Sequence, residues 1–418
     1  MTKRKIAVIG AGAAGLTAAH HLKKRGFTHT TVFEKESDVG GKVSTFYYEG
    51  RPYEIGAVWM TPDYKTVAEL SDELGVPRYP ARQMRLMTKD AEVQDTFQAI
   101  LRQPNLLGLG RDVFRFWKTC AQHDRIKKPG FDGLHSDFHL TLDELSRKRG
   151  FPITARLMTP TMSACGYGFY EEVPAQYWMK LMVILLNFAL RGGETLNNLW
   201  CFSNGYQDLW RRAAKGLDVR LNSPVSSIIR TGSGSDCQVE VTANGKTELF
   251  DKVIIAAPLD KAHNFLDLTD VEQKLFENIR TLRYIITVAR TDSQVHAAFD
   301  KNTVPSRIDH VNAALKFHKD TDVNVYFQMV GDQTTDEQAL EVLRSDLEEV
   351  GVHIREVVHR KEWSYFPHVG KEALARGFYE KFESLQGERG TYYTGGLLSF
   401  ETVEHAAAYS KNLVERFF

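Results

Sequence analysis

The first 34 residues constrain the fold more than any other part of the chain. Lys5–Ile9 (KIAVI) is a short apolar run of β-branched character, the mark of a buried parallel strand. It runs straight into Gly10-Ala11-Gly12-Ala13-Ala14-Gly15. A helix-forming stretch over 13–25 follows, with Lys23, Lys24 and Arg25 in its last turn and Gly26 as its stop. A second strand over 30–33 ends at Glu34. Each part has a physical reason. Gly10 permits the sharp strand-to-helix turn, Gly12 lets a pyrophosphate approach the backbone, and Gly15 lets the helix lie close on the sheet. The helix start, with Ala13 and Ala14 in its first turn, turns N–H groups toward the phosphates. Glu34 stands about twenty positions beyond Gly15, where an acid meets ribose hydroxyls, and Lys35 follows it. Strand, glycines, helix, strand and acid in this order predict dinucleotide binding on an α/β sheet.

Composition bounds the rest. At 418 residues, with 43% hydrophobic and 25% charged, the chain can build two or three domains and is not disordered. Lys plus Arg and Asp plus Glu are both 53, so no basic excess supports nucleic-acid binding. Cys120, Cys165, Cys201 and Cys237 lie far apart without a CxxC pair, and read as reduced thiols of a cytoplasmic protein. The apolar stretch 177–190 contains Lys180 and Asn187 and is too short to span a bilayer, so no transmembrane segment is expected. His135 and His139, with Asp132 and Asp137 near, could suggest a metal, but Gly133 and the short polar context argue against one, and no metal is expected. Gly-Ser-Gly in 231–237 lacks the flanking strand of a nucleophile elbow.

Beyond Glu34 the chain departs from a nicotinamide-binding pattern. A second glycine pair comes at once, Gly40-Gly41-Lys42, followed by an aromatic hairpin and Gly56-Ala57-Val58-Trp59. Here the sequence resembles the flavin-containing amine oxidase superfamily, whose members join the glycine turn to a Glu, a Gly-Gly-Arg/Lys and a Gly-Ala. The resemblance implies FAD as cofactor, with Gly41, Lys42, Gly56, Ala57, Val58 and Trp59 near the flavin; Lys42 stands where most members carry Arg. At the far end, 391–394 is a strand ending in Gly395-Gly396, and a helix is expected from Val403 to Phe417. The resemblance puts Gly395 and Gly396 at the pyrophosphate and ribityl chain and the helix start at Val403 toward the flavin pyrimidine. Residues 219–229 read as one strand-like segment that resembles the superfamily's strand beside adenine, which implies Val225 as the contact there. Pro258, after the apolar strand 253–255, returns the chain to the cofactor.

The expected fold is therefore α/β: a discontinuous Rossmann-like FAD-binding domain (1–75, 205–265 and 365–418) with a helical insert (76–204) and a mixed α/β substrate insert (266–364). Several stretches are similar to one branch, the FAD-dependent polyenoic fatty acid isomerases: Tyr53-Glu54-Ile55-Gly56-Ala57, Gly166-Tyr167-Gly168, Tyr365-Phe366-Pro367-His368-Val369, and blocks from Gly377 to Lys411. That resemblance implies a noncovalent FAD, a hydrophobic tunnel and a polyunsaturated fatty acid substrate such as linoleate. It implies hydride removal from a bis-allylic carbon and its return two carbons away, giving a conjugated diene with no net redox change. Phe188 matches a phenylalanine at the family's tunnel mouth. The family's arginine partner for the carboxylate falls opposite Met84, with Arg82 and Arg85 on either side as candidates. Tyr167, Phe366 and Trp363 are further candidates to wall the substrate and the ring, although lone aromatics are more often core.

Two departures bear on substrate. Gly396 occupies a position where the family has glutamate, and Trp59 is bulkier than the family's residue beside the flavin. The competing reading is an FAD oxidase or desaturase that passes electrons from an amine or alkyl chain to oxygen or a carrier; a flavoprotein with structural FAD is the third. A transient contact with a membrane surface is left open.

Overall fold

The computed structural model describes residues 4–82, 85–87, 93–94, 105–190, 199–232, 237–299 and 308–418. Its centre is a five-stranded sheet in the order Thr391–Tyr393, Lys252–Ile255, Lys5–Ile9, His29–Phe33, Asp218–Arg220. All four pairings are parallel, so chain segments from both ends and the middle meet in one layer. Every residue of Lys5–Ile9 after Lys5 is buried, as a strand covered on both faces requires. The helices Ala13–Lys24 and Val403–Phe417 pack on each other beside this sheet. Both ends of the chain thus build one nucleotide-binding layer, an α/β fold with a parallel sheet.

The segment 219–229 is not one strand. Asp218–Arg220 forms the edge of the parallel sheet, whereas Val225–Thr231 opens a separate antiparallel sheet with Gln238–Ala243 and Lys246–Phe250. The break has a local cause. Asn222 takes φ 49, and the backbone N–H groups of Asn222 and Ser223 donate to the carbonyls of Glu36 and Glu34. Pro224 then has no N–H to continue a ladder.

A seven-stranded sheet forms the other large layer, in the order Ile354–His368, Arg280–Thr291, Val323–Val330, Val311–Leu315, Ala297–Phe299, Arg85–Met87, Val93–Gln94. Val323–Val330 is buried at every position. Arg85–Met87 joins from within the stretch assigned to the helical insert, pairing in parallel with Ala297–Phe299. Ile354–His368 runs unbroken across residue 364, where the sequence division drew a boundary. The helix Asp336–Glu349 on this part starts at a capping box, Thr335 with Gln338.

Helices Leu106–Gln122, Leu142–Arg149, Pro152–Ala164 and Ala175–Leu190 make up most of the remaining insert. Leu142–Arg149 is bounded by local chemistry: a Thr141–Glu144 capping box at one end and left-handed Gly150 at the other. Among the described residues no helix is long and apolar enough to cross a membrane.

Candidate functional site

Three backbone segments converge at the carboxyl end of Lys5–Ile9. Gly10 takes φ +103, and a Cβ there would stand 3.1 Å from the carbonyl oxygen of Ala256. Gly15 is packed harder still: its Cβ would lie 1.9 Å from the carbonyl oxygen of Gly10. The next glycine loop closes against the first, with the Gly40 N–H donating to Ala11 O at 2.9 Å and Gly12 bridged to Gly40. No side chain caps the start of the helix at Gly12, and no acid stands in its first turn. First-turn N–H groups have no intrahelical acceptor, so this end offers donors and positive potential to an anion.

Glu34, buried at the end of His29–Phe33, accepts from the N–H of Ala11 at 2.7 Å and of Glu36 at 3.0 Å. These bonds fix the carboxylate beside the glycine turn and leave lone pairs for hydroxyl donors. Lys35 points away, with its ammonium 3.3 Å from Glu36. Val225 lies two residues past Ser223, whose N–H donates to the Glu34 carbonyl at 2.7 Å. Against Gly10 the structure sets Ala256 and Ala257, which sequence reasoning passed over for the exposed Pro258.

The second glycine loop leads to a charged pair. The Lys42 carbonyl accepts from Ala57 N at 3.0 Å, and a Cβ on Gly56 would lie 2.0 Å from that carbonyl oxygen. The Lys42 ammonium donates to Glu401 Oε1 at 2.5 Å and lies 5.5 Å from the centre of the Tyr365 ring. Glu401 fills the space over Gly396: a Cβ there would fall 1.7 Å from Glu401 Oε2. The expected loss of a carboxylate at position 396 is therefore offset by a carboxylate arriving from position 401. Gly395 precedes a short helical turn, Gly396–Ser399, that no sequence signal announced. Val403 begins its helix as expected, but Thr402 already caps that end by accepting from His405 N.

Trp363 donates its indole N–H to Ile55 O at 2.6 Å, which ties the long strand of the large sheet to the Gly56 segment. Next to it the Tyr365 ring stacks on Tyr284 at 5.1 Å and on Tyr167 at 5.9 Å, and Phe366 meets Tyr167 edge-on at 5.4 Å. Burial holds the Tyr167 and Tyr365 hydroxyls far above the usual phenol range, so both stay protonated. Phe366 is fully buried and takes φ 49 just before Pro367, a left-handed conformation held by packing against Tyr177, His368 and Phe400.

Trp59 faces a different space. A cavity of about 260 Å³ is lined by Trp59, Tyr79, Arg82, His296, Phe317 and Lys319, among others. Tyr167 and Phe366 are not on its wall. Arg85 is not either: it sits exposed on the strand Arg85–Met87. Met84 and the Phe188 side chain lie outside the described residues. His296 was not foreseen. Its Nδ1 accepts from Lys316 N at 3.0 Å, which leaves the proton on Nε2, and that buried donor has only the Arg82 backbone near it, without a well-formed hydrogen bond. Burial first, and Arg82 second, lower its pKa to about 4, so the ring is a neutral donor at pH 7. A lone histidine just before a short strand gives no sequence signal of this role.

The model of the flavin-containing amine oxidoreductases matches residues 13–390. The chain belongs to that family. This family member is an FAD-dependent enzyme, and the open helix start, the glycine approach and Glu34 fit such a dinucleotide. It is 24% identical over 326 residues to a polyenoic fatty acid isomerase of Ptilota filicina, covering 69% of this chain and 64% of that one. It is 27% identical over 274 residues to a probable polyamine oxidase 4 of Arabidopsis thaliana, covering 61% of this chain and 50% of that one. Against these curated relatives the flavoenzyme thus spans about half to two thirds of their length. Among solved structures, a CLA-producing fatty acid isomerase from P. acnes superposes with a TM-score of 0.90 at 27% identity, covering 100% of this chain and 99% of that one. A putrescine oxidase structure gives a TM-score of 0.71 at 18% identity, a likeness of fold alone.

Proposed function

We propose that the enzyme isomerises a polyunsaturated fatty acid to a conjugated isomer. The observation that carries this reading is the cavity in which Trp59, three residues past Gly56, shares a wall with Arg82 and His296. Aromatic and apolar walls with Arg82, Lys316 and Lys319 among them suit a long acid with one carboxylate. The full-length likeness to a CLA-producing fatty acid isomerase supports the same class.

When bound, FAD supplies a hydride acceptor that also gives the hydride back, so a double bond can move without net oxidation. The chain's own part is to bind, orient and exclude water. We assign the N–H groups of Ala13, Ala14 and Gly15 to the pyrophosphate and Glu34 to the ribose. Gly12 and Gly41 let the backbone lie close beside the cofactor, and Lys42, held by Glu401, sets a positive charge there. The wall of buried Tyr167 and Phe366 with half-buried Tyr365 keeps water from that end. Arg82 and the His296 Nε2–H hold the carboxylate, which fixes how far the chain reaches.

Incubation with linoleate in air, followed by ultraviolet absorbance and an oxygen electrode, tests this. Conjugated-diene growth without matching oxygen uptake is expected. Oxygen uptake with peroxide and no diene would establish the oxidase reading that the polyamine oxidase relative favours. Arg82→Ala is expected to raise KM for linoleate about tenfold with kcat little changed, as loss of a charge-assisted hydrogen bond does. Arg85→Ala should leave both constants alone, since Arg85 is off the cavity wall. Equal KM in wild type and Arg82→Ala would remove Arg82 from the carboxylate site.

A further inference from the structure

The helix Leu106–Gln122 has an outer face that neither the cofactor loops nor the cavity uses. Leu107 is 92% exposed, Phe114 62% and Trp117 51%. Positions 107 and 114 are two helical turns apart and 117 one turn on, so the three side chains share a side. Arg111, Arg115 and Lys118 are exposed among them, Arg115 also donating to Gly150 O at 3.4 Å. Asp112, the one acid between 105 and 122, is turned inward, 2% exposed, and accepts from Ile153 N at 2.8 Å. The inner side is committed to the core through Leu109, Phe116 and Cys120. Of this helix's own residues, three large apolar side chains, three cations and no carboxylate remain outside.

We propose that this helix docks the protein on an anionic lipid surface. It lies in the headgroup plane, with Leu107, Phe114 and Trp117 reaching the acyl boundary and Arg111, Arg115 and Lys118 against lipid phosphates. Charge selects this occupant. A second copy packed on the same face would set cation against cation, whereas anionic headgroups neutralise all three. A single convex helix offers no groove for a peptide, and Trp and Phe between basic residues suit an interface that is apolar below and charged above. The proposal stands on this helix and not on the fatty-acid reading, although a membrane is where a long-chain acid collects.

The test is sedimentation of the holoenzyme with equimolar phosphatidylglycerol–phosphatidylcholine vesicles and with pure phosphatidylcholine vesicles. Binding to the first, lost at high salt, is expected. The triple change Leu107→Ser, Phe114→Ser, Trp117→Ser should weaken it at least ~10-fold. Arg111→Gln and Lys118→Gln should each weaken it about fivefold, the equivalent of about 1 kcal/mol per charge near the surface. FAD content and turnover of a monomeric short-chain substrate should not change, and the two charge variants stand if the triple variant does not fold. Equal sedimentation of wild type and variants, or none with anionic vesicles, would overturn the proposal. A wild-type dimer that the triple variant splits would assign the face to a second copy instead, and binding only to an acidic protein would assign it to a protein partner.

Discussion

Gly15→Ala is expected to yield a chain that keeps its large sheet but retains little FAD. The added Cβ would stand 1.9 Å from the Gly10 carbonyl oxygen and 3.3 Å from the Ala256 Cβ. The neighbours are backbone and a methyl group on the residue just past the strand Lys252–Ile255, so neither can swing aside. The helix Ala13–Lys24 has to withdraw from the sheet, taking with it the N–H groups of its first turn. Overpacking of this kind costs about 1–3 kcal/mol, and if it falls on the bound geometry the FAD dissociation constant rises ~10- to 100-fold. Gly110→Ala is the control, because a Cβ there meets nothing within 4 Å. The ratio of flavin to protein absorbance after gel filtration reads the outcome. Wild-type FAD content and affinity in Gly15→Ala would show that the close approach at Gly15 is not what shapes the site.

Arg230→Ala is expected to give the largest loss of stability of any single change away from the cofactor. The Arg230 side chain has no exposed surface, donates to Asp267 Oδ1 at 2.6 Å and makes two bonds to Glu272, at 2.6 and 2.8 Å. It also donates to the Tyr393 hydroxyl at 3.2 Å, and so joins the small antiparallel sheet to the parallel sheet. Removing it leaves Glu272 buried without its cation, which costs about 3–5 kcal/mol in such pairs. The acid limb of stability should change as well. Burial raises the Glu272 pKa, but Arg230, the Thr269 N–H and the Tyr393 hydroxyl outweigh it and bring it down to about 2. A folded value below the unfolded one means stability that is fully present above about pH 4.5 and lost as pH falls toward 2. Urea midpoints measured across that range should fall steeply for wild type and less so for Arg230→Ala. Equal midpoints at neutral pH would contradict the account.

What the sequence made legible was local. The strand Lys5–Ile9, the glycine turn and the helix Val403–Phe417 carry their own signals in a few consecutive residues, and the structure has them at those bounds. Pairings between distant segments left no such mark. Arg85–Met87 joins the large sheet through contacts with residues more than two hundred positions away, so nothing near it in sequence separates Arg85 from Arg82. Likewise, that Glu401 fills the space over Gly396 depends on the turn Gly396–Ser399, whose four residues carry neither cap nor periodicity. His296 gains its meaning from Lys316 and from the cavity, both assembled by sheet pairing. The division of 219–229 into two strands follows from bonds to Glu34 and Glu36 that a propensity reading does not contain.

We propose that the enzyme moves a double bond and consumes no oxidant. The most direct test is anaerobic incubation of limiting holoenzyme with excess linoleate, followed by diene absorbance and the flavin spectrum together. The account predicts conjugated product in many-fold excess over enzyme while the flavin stays oxidised at steady state. Product that stops at one equivalent with bleached flavin, and resumes only when oxygen is admitted, would contradict it.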